Sequence, residues 1–377
     1  MEAGMKSFAE TRKVFFLLGR ACNFKCRYCL QCNEEPVSFP KRVSEEAVAF
    51  LQKLADAQPR TQRQRASLRI NLMGGEPLLY FPTIQDVVKR VDRSNVEWAF
   101  ATNGSLISPT MVDFFNEHRV KVILSHDGPQ TVKTRGIDVL ANPDIKACLQ
   151  ALDRFSVDSV ITSYSQNLLA VRAYINEAMG CAVPLKHVFL TLLNEVPADL
   201  LDYDLAAWKA TCAQMGDVAL VQFEAKRTGW ESDWFWRYIN RYYDFVEGTN
   251  PLCSCSTRGK VLTVDGTGRV WRCINGVYPI GTVGSECRDF NQRSEANIIR
   301  LYQDNKHDCG ECRWFPLCHG HCPRERMTAQ QRIQCEFMGI FFEAVATVMQ
   351  QFCQFRQDNE DSGDEFPESK AAEGVLK

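Results

Sequence analysis

The chain has 377 residues, of which 45% are hydrophobic and 24% charged, a composition typical of a soluble protein long enough for two domains with full cores. Its formal net charge of −2 gives no reason to expect nucleic acid or a membrane surface as a partner. It has no 18-residue apolar span and no basic start followed by an apolar segment, so it predicts neither a transmembrane helix nor a signal peptide. The 17 cysteines are odd in number and clustered at ligand-like spacings, which favours metal ligation in a reducing cytoplasm over disulfides.

Six apolar runs predict β-strands, and they alternate with helix-like stretches along the chain. The strands are predicted at Val14–Leu18, Leu68–Met73, Val96–Ala101, Val120–Ser125, Ser159–Ser163 and His187–Leu192. The helices are predicted at Ser44–Ala57, Thr83–Asp92, Pro109–His118, Asp144–Phe155, Leu168–Met179 and Tyr203–Phe223. Such alternation predicts a parallel sheet with helices outside it. Six units are too few for a closed eight-stranded barrel, so we expect an α/β fold built as an open, partial (β/α)6 TIM barrel.

The alternation ends near residue 225, and the rest of the chain has a different pattern. Residues 230–245 are dense in aromatics and predict a packing helix, with a substrate-lining role as the alternative. Val261–Val264 and Arg269–Trp271 flank a glycine-containing turn and predict a β-hairpin, and Gln330–Phe352 predicts a helix. We therefore predict a partial-barrel domain over residues 1–225, a cysteine-rich domain over residues 226–352 and an acidic, disordered tail over residues 353–377.

The most informative motif is the triplet of Cys22, Cys26 and Cys29, which follows the first predicted strand with the spacing C-x-x-x-C-x-x-C. Three thiolates this close can hold three corners of one cubane iron–sulfur cluster. The fourth iron then keeps an open coordination position, and an open position distinguishes a catalytic metal site from a structural one. Because barrel enzymes carry their chemistry on the loops at the C-terminal ends of strands, the triplet predicts a catalytic site.

A second group of cysteines lies in the C-terminal third of the chain. Its members are Cys253, Cys255, Cys273, Cys309, Cys312, Cys318, Cys322 and Cys335. By themselves, pairs of cysteines separated by two residues usually indicate zinc, and eight cysteines could form two zinc sites. The spacing of this group therefore leaves zinc and iron–sulfur clusters open.

The triplet, the later Gly74-Gly75-Glu76-Pro77 and the six β/α units resemble the radical S-adenosylmethionine (SAM) superfamily. The C-terminal cysteine pattern resembles the SPASM extension of that superfamily, whose domain carries auxiliary iron–sulfur clusters. The resemblance implies a [4Fe–4S] cluster on the triplet whose open iron binds SAM. Reductive cleavage of SAM would give a 5′-deoxyadenosyl radical that abstracts a hydrogen atom from the substrate. Cys32 is expected not to ligate, because a fourth thiolate would block SAM.

The resemblance also implies which residues contact SAM. Glu76 would accept from its amino group, Arg135 would meet its carboxylate, and Tyr28 would lie beside its adenine. The glycines would let the backbone approach the ligand closely. The full predicted cofactor-binding set is Tyr28, Gly74, Gly75, Glu76, Asn103, Ser125 and Arg135.

For two auxiliary [4Fe–4S] clusters, the family pattern assigns Cys309, Cys312, Cys318 and Cys335 to the outer one. Cys255, Cys273 and Cys322 would hold the inner one, with Cys253 as the candidate fourth ligand. In relatives of this type the two upstream cysteines lie further apart, whereas here only Ser254 separates them. The resemblance therefore leaves the fourth ligand of the inner cluster open.

Enzymes with this domain mostly modify peptides or proteins, so the resemblance implies a peptide maturase that forms a cross-link, a thioether or an epimerised residue. One alternative is a formylglycine-forming sulfatase maturase. In that branch an Asp follows the cysteine matching Cys273 and serves as a base, whereas this chain has Ile274 there. A radical enzyme acting on a small molecule is a second alternative, and a non-catalytic zinc protein is a remote third.

The implied partners are a peptide or protein substrate and an external electron donor such as flavodoxin or ferredoxin. Many peptide maturases have an N-terminal leader-binding domain, whereas this chain reaches its first strand almost at once. Leader recognition is therefore expected from a separate protein or from the cysteine-rich domain. The expected location is the cytoplasm.

Overall fold

A computed structural model describes residues 11–31, 42–59, 67–225, 227, 229–247, 261–271, 273, 279–283, 300, 303–305, 307–322 and 324–360. The chain forms two compact units. Unit 1 comprises Met1–Val160, Val171–Leu185 and Cys255–Arg300, and unit 2 comprises Ile161–Ala170, Lys186–Ser254 and Leu301–Lys377. The domain boundaries at residues 225 and 352 stay predictions.

The strands of the described chain form one sheet, which begins with parallel strands and ends in a hairpin. They are β1 (Lys13–Leu17), β2 (Leu68–Met73), β3 (Val96–Thr102), β4 (Lys121–Ser125), β5 (Phe155–Ile161), β6 (Leu185–Phe189), β7 (Val261–Asp265), β8 (Arg269–Trp271) and β9 (Pro279–Thr282). Their order is β6-β5-β4-β3-β2-β1-β7-β8-β9. Pairing is parallel from β1 through β5 and between β1 and β7, and antiparallel between β7 and β8 and between β8 and β9. Parallel neighbours in sequence order place the C-terminal ends of the strands at one edge, where sites are built in such folds.

Helices connect these strands and continue after β6. They are α1 (Glu45–Asp56), α2 (Phe81–Val91), α3 (Pro109–Glu117), α4 (Thr131–Arg135), α5 (Pro143–Gln150), α6 (Leu168–Met179), α7 (Leu205–Glu224), α8 (Trp230–Val246), α9 (Phe315–Cys318) and α10 (Ala329–Glu360). The side chain of Ser44 caps α1 by accepting the backbone N–H of Ala47 at 3.2 Å. None of the helices in the described ranges is sufficiently long and apolar to cross a bilayer.

The core of unit 1 lies between the sheet and its helices. Alternate residues of β1 and β2, among them Val14, Phe16 and Ile70, are fully buried and pack with Leu51 of α1 and Val87 of α2. A strand places successive side chains on opposite faces, so the intervening residues of each strand form the other face of the sheet. Those residues are half-buried at several positions, which leaves that face partly accessible to solvent.

Unit 2 has an aromatic core built from α7, α8 and α10. Trp208 of α7 is fully buried; its indole N–H donates to the Phe337 carbonyl at 2.8 Å, and its ring stacks on the Phe337 ring with centroids 4.4 Å apart. Trp234 of α8 stacks on Phe341 of α10 with centroids 4.1 Å apart. The helix predicted from the aromatic stretch therefore buries part of that stretch in a core.

The predicted α/β fold is confirmed, including the parallel order of the sheet and the hairpin at residues 261–271. Several details differ from the prediction. The helix predicted at Asp144–Phe155 spans Pro143–Gln150, and the strand predicted at His187–Leu192 spans Leu185–Phe189. β5 begins at Phe155 rather than Ser159, because its polar Ser156 and Asp158 interrupt the apolar pattern. The last helix continues past Phe352 to Glu360. The hairpin adds β7 to β1, in the same unit as the parallel strands.

Candidate active site

The triplet loop, which we define as residues 19–31, lies across the C-terminal ends of β1 and β2. The N–H of Gly75 donates to the Gly19 carbonyl at 3.2 Å, and the N–H of Glu76 donates to the Ala21 carbonyl at 2.8 Å. The Ala21 N–H donates to the Tyr80 hydroxyl at 2.9 Å. The residues after β2 therefore anchor the start of the triplet loop.

The glycines after β2 are needed because two backbones meet there. A Cβ on Gly75 would lie 2.3 Å from the Ala21 carbonyl oxygen, and a Cβ on Gly74 would lie 2.9 Å from the Gly19 carbonyl oxygen. The sequence predicted that these glycines allow close approach to a ligand. The close approach in the structure is to the triplet loop itself, so the glycines determine where the cysteines sit.

The three cysteines of the triplet lie close together. Cys22 is exposed, whereas Cys26 and Cys29 are half-buried, and a turn joins the Cys29 N–H to the Cys26 carbonyl at 3.0 Å. Burial raises the pKa of the Cys26 thiol to about 11; nearby Arg135 opposes this shift, and the charges of Cys29 and Cys22 add to it. Cys22 and Cys29 are thus near enough to Cys26 to influence its thiol electrostatically.

Backbone amides point at two of these sulfurs. The Phe24 N–H donates to the Cys22 sulfur and the Gln31 N–H donates to the Cys29 sulfur, both at 3.4 Å. Within the described ranges, no three His, Cys, Asp or Glu side chains are arranged to hold a single metal ion. A cubane cluster binds each thiolate through a different iron, so its ligands need not converge on one point. Three neighbouring thiols on one loop, with amides donating to sulfur, fit such a cluster.

Tyr28, between the last two cysteines, belongs to a buried polar network. Its hydroxyl donates to Asp127 Oδ2 at 2.6 Å and accepts from Arg135 Nη1 at 2.8 Å. Burial raises the pKa of Tyr28 well above its ordinary value; the Asp127 charge adds to the shift and the Arg135 charge opposes it. The predicted contact of Tyr28 with adenine stays a prediction, because it concerns the ring, whereas the network uses the hydroxyl.

Arg135, which ends α4, is the cation of this network. Burial by itself would lower its pKa, but the neighbouring Tyr28, Cys26 and Asp127 outweigh burial and raise it. Its guanidinium has five N–H donors and the bond to Tyr28 uses one of them. The predicted contact with the SAM carboxylate stays a prediction.

Glu76 and Asn103 tie the ends of β2 and β3 together. The buried Glu76 carboxylate accepts from the Thr102 hydroxyl at 2.6 Å, the Asn103 N–H at 2.8 Å and the Leu78 N–H at 3.0 Å. Burial raises its pKa, and these hydrogen bonds act in the opposite direction. The Asn103 amide group donates to Asn23 Oδ1 of the triplet loop at 2.8 Å. The structure thus gives both predicted SAM contacts a part in positioning the loop.

Ser125 and His126 lie where β4 ends. Ser125 is half-buried and pairs in register with Asp158 of β5, so both side chains are on the same face of the sheet. His126 is buried; its Nδ1 accepts from the Gly128 N–H at 3.1 Å and its Nε2 lies 2.9 Å from Asp138 Oδ1. These bonds fit the neutral tautomer with the proton on Nε2.

The downstream cysteines predicted for the outer cluster share one cavity of unit 2. The cavity measures about 310 Å³ and is lined by Cys309, Cys312, Cys318 and Cys335, together with Phe315 and Phe342. Burial raises the pKa of Cys318 to about 12, and the charges of Cys335 and Cys309 contribute. The structure therefore brings the predicted outer set together.

The structure does not describe the whole of the predicted inner set, because Cys253 and Cys255 fall outside the described residues. Cys322 belongs to unit 2 and Cys273 to unit 1. Cys32, which is expected not to ligate, also falls outside the described residues. The Cys322 N–H donates to Glu325 Oε2 at 3.2 Å, and Glu325 Oε1 accepts from the Leu192 N–H at 2.7 Å. The ligands of an inner cluster stay a prediction.

Sequence reasoning missed Asp127 and Glu325, although both are buried carboxylates that hold cysteine-bearing segments. Asp127 had one usable signal, its place directly after a predicted strand in Ser125-His-Asp-Gly-Pro129. Glu325 had only its distance of three residues from Cys322. Neither signal identifies the partners, which come from distant parts of the chain.

Comparison with known proteins agrees with this geometry. Residues 16–155 match the family described as the Radical SAM superfamily. The radical SAM cyclopropyl synthase TigE of Paramaledivibacter caminithermalis is 26% identical over 133 residues, which cover 32% of this chain and 28% of TigE. The cysteine-type anaerobic sulfatase-maturating enzyme of Clostridium novyi is 22% identical over 369 residues, which cover 85% of this chain and 91% of that enzyme.

Among solved structures, native anSMEcpe with bound AdoMet and Cp18Cys peptide has a TM-score of 0.61 at 18% identity, covering 93% of this chain and 99% of that one. This likeness supports the fold. The family match includes the triplet loop, the glycines after β2 and the end of β4. Residues 16–155 of this chain are therefore similar to the Radical SAM superfamily, and they include the triplet loop.

Proposed function

We propose that this enzyme reductively cleaves SAM and uses the resulting radical chemistry to modify a peptide or protein. One observation carries the proposal: the three thiols of the triplet lie together on a loop at the C-terminal ends of parallel strands. The cofactors are a [4Fe–4S] cluster and SAM. When bound, they supply an electron to the sulfonium bond of SAM and the means to abstract a hydrogen atom.

The chain's own residues would hold these cofactors. Cys22, Cys26 and Cys29 are the proposed ligands. Ser125 is the proposed SAM contact best supported by position, because it is half-buried on the accessible face of the sheet. The other proposed contacts are Tyr28, Gly74, Gly75, Glu76, Asn103 and Arg135. Several of these also hold the triplet loop, so their substitution would affect both the cluster and SAM.

Two auxiliary clusters are proposed for the downstream cysteines. The shared cavity of Cys309, Cys312, Cys318 and Cys335 supports the outer cluster. Cys253, Cys255, Cys273 and Cys322 are proposed for the inner one. Three cubanes would give about 12 irons per chain.

A peptide or protein substrate is supported by two likenesses of nearly full length. One relative is named as a sulfatase-maturating enzyme, and one similar structure contains a bound peptide. Within this class we favour maturation of a ribosomally made peptide by a cross-link, a thioether or epimerisation. An external electron donor such as flavodoxin or ferredoxin completes the proposed system in the cytoplasm.

Formylglycine formation is the second candidate, because the long match to a sulfatase-maturating enzyme favours it. Ile274 argues against it, because it stands where that branch has the Asp that serves as base. Incubation with a sulfatase-derived peptide and with short peptides encoded beside the enzyme separates the two. A new aldehyde at Cys or Ser favours formylglycine, and loss of hydrogen with a new cross-link favours peptide maturation.

The test of the whole proposal is anaerobic reconstitution followed by measurement of iron, sulfide and 5′-deoxyadenosine. We expect reductant-dependent 5′-deoxyadenosine from the intact chain and none from Cys26→Ala. Cys181→Ala is the matched control, because Cys181 is exposed and lies in the same unit. The proposal fails if the intact, iron-loaded chain makes no 5′-deoxyadenosine, or if it binds stoichiometric zinc without iron.

A further inference from the structure

Asp127 is a buried carboxylate at the centre of the network beside the triplet loop. Only 1% of the residue is exposed. Its Oδ2 accepts from the hydroxyls of Tyr28 and Thr134, both at 2.6 Å, and its Oδ1 accepts from the Val160 N–H at 2.9 Å. A buried charge persists when donors surround it in this way. Because protein donors enclose it, Asp127 is poorly placed to touch a substrate.

The hydroxyl partners of Asp127 come from two segments, the triplet loop and α4. Tyr28 is part of that loop, between Cys26 and Cys29, whereas Thr134 is part of α4. The same two segments are joined by their backbones, because the Arg27 N–H donates to the Thr134 carbonyl at 2.9 Å. Arg27 Nη1 also donates to the Lys133 carbonyl at 3.2 Å. Asp127 therefore completes a connection between the triplet loop and α4.

A second set of contacts fixes the backbone on either side of Asp127. His126, the residue before it, bonds both to the Gly128 N–H and to Asp138. Gly128 has a φ of +79°, and a Cβ there would lie 2.8 Å from the Val171 side chain. The backbone on either side of Asp127 is thus fixed, and its carboxylate has a defined place from which to hold Tyr28.

We propose that Asp127 is the positioning residue of the triplet loop: through Tyr28, whose hydroxyl also accepts from Arg135, it fixes the segment from Cys26 to Cys29. Its consequence for the cluster rests on the proposed function. Its consequence for the loop does not, because the contacts belong to the chain alone. Substitution of Asp127 should therefore loosen Cys26 and Cys29 before it affects the rest of unit 1.

The experiment compares Asp127→Asn, Tyr28→Phe and the double variant with the wild-type chain. In the reconstituted enzyme, a chelator removes iron while the SAM-sensitive EPR signal of the reduced enzyme is followed. In the iron-free full chain, cysteine alkylation is measured site by site by mass spectrometry. We expect Asp127→Asn to accelerate both iron loss and Cys26 alkylation on the order of tenfold, as loss of a charged hydrogen bond permits.

Tyr164→Phe is the matched control, since the Tyr164 hydroxyl bonds to Asp199 Oδ2 at 2.8 Å in unit 2. We expect it to behave like the wild type. The double variant should be no more labile than Asp127→Asn, because both substitutions break the same connection. Additive effects of the two single variants would overturn a shared role.

Two other cysteines of unit 1 serve as internal references. Alkylation of exposed Cys22 should stay unchanged, and buried Cys148 should stay protected. The inference is overturned if Cys26 is alkylated at the same rate in Asp127→Asn as in the wild type. It is also overturned if the alkylation rate of Cys148 rises as much as that of Cys26, because this would mean general unfolding. The two proposals can fail separately. If the wild-type enzyme makes no 5′-deoxyadenosine, the proposed function is refuted. If Cys26 is nevertheless alkylated faster in Asp127→Asn than in the wild type, the positioning role is supported.

Discussion

Buried carboxylates hold the loops that follow three strands of unit 1. Glu76 follows β2, Asp127 follows β4, and Asp265 ends β7; none is more than 1% exposed. Asp265 Oδ1 accepts from the N–H and hydroxyl of Thr267, at 2.9 and 2.7 Å, and from the Arg269 N–H at 3.0 Å. Each carboxylate thus receives at least three donors, which offsets the cost of burying its charge. At the residue scale, the geometry of these loops depends on buried carboxyl groups that accept several hydrogen bonds.

Asp138 gives a prediction of pH dependence. It accepts from the Leu140 N–H at 2.9 Å, from His126 and from the Tyr174 hydroxyl. Burial would raise its pKa, but the bonds from His126 and Tyr174 prevail and lower it to about 2. The unfolded value is about 3.9, so the folded state binds fewer protons between these two values. The stabilisation is therefore complete above about pH 4 and is lost as the pH falls toward 2.

We expect the difference in unfolding free energy between the wild type and Asp138→Asn to be largest above about pH 4 and to shrink as the pH is lowered. Urea unfolding of the iron-free chain across this range measures it. Asp144→Asn, on the exposed surface of α5, is the control and should show little difference at any pH. If the difference in unfolding free energy between the wild type and Asp138→Asn stays constant down to pH 2.5, Asp138 is not the source of this pH dependence.

At the scale of elements, the turn after β2 and the triplet loop form one structural feature. Gly75→Ala would force a Cβ to within 2.3 Å of the Ala21 carbonyl oxygen. Because the obstacle is backbone, we expect the triplet loop to shift, with loss of most cluster iron and a cost of about 1–3 kcal/mol in unfolding free energy. Iron content after reconstitution and urea unfolding measure the two effects.

Gly266→Ala is the matched substitution for this test. A Cβ on Gly266 would meet only Val43, at an ordinary 3.9 Å. It should keep both iron and stability. Retention of full iron by Gly75→Ala would show that the glycine is not needed to seat the loop.

Local patterns predicted the elements but not the contacts between them. β2 and α6 have the predicted bounds, because β2 alternates apolar and polar residues and α6 has apolar residues at helical spacing. The partners of Asp127 come from Tyr28, Thr134 and Val160, and no periodicity in the chain relates these positions. The pairing of β7 with β1 is equally non-local. The cysteine spacings grouped cysteines that are close in sequence, as in the triplet, whose role as ligands stays a prediction. They left the inner set undecided, because its members are far apart in sequence.

At the scale of the whole molecule, the described chain has two hydrophobic cores of different character. The core of unit 1 joins the sheet to its helices and includes Phe100, which packs on Phe115 with ring centroids 4.9 Å apart. The core of unit 2 is helical and aromatic and includes Phe341. The triplet belongs to unit 1 and the proposed outer-cluster cysteines to unit 2, so each core supports a different proposed metal site.

The same substitution in each core should therefore have separate effects. Phe100 and Phe341 are both almost completely buried, so each Phe→Ala change should cost about 3–5 kcal/mol. Native-state hydrogen exchange locates the loss. Phe100→Ala should reduce amide protection in β2, β3 and β4, and Phe341→Ala should reduce it in α7, α8 and α10. Equal loss of protection in both units from either variant would mean that the two cores unfold as one, and that damage to the aromatic core would reach the triplet.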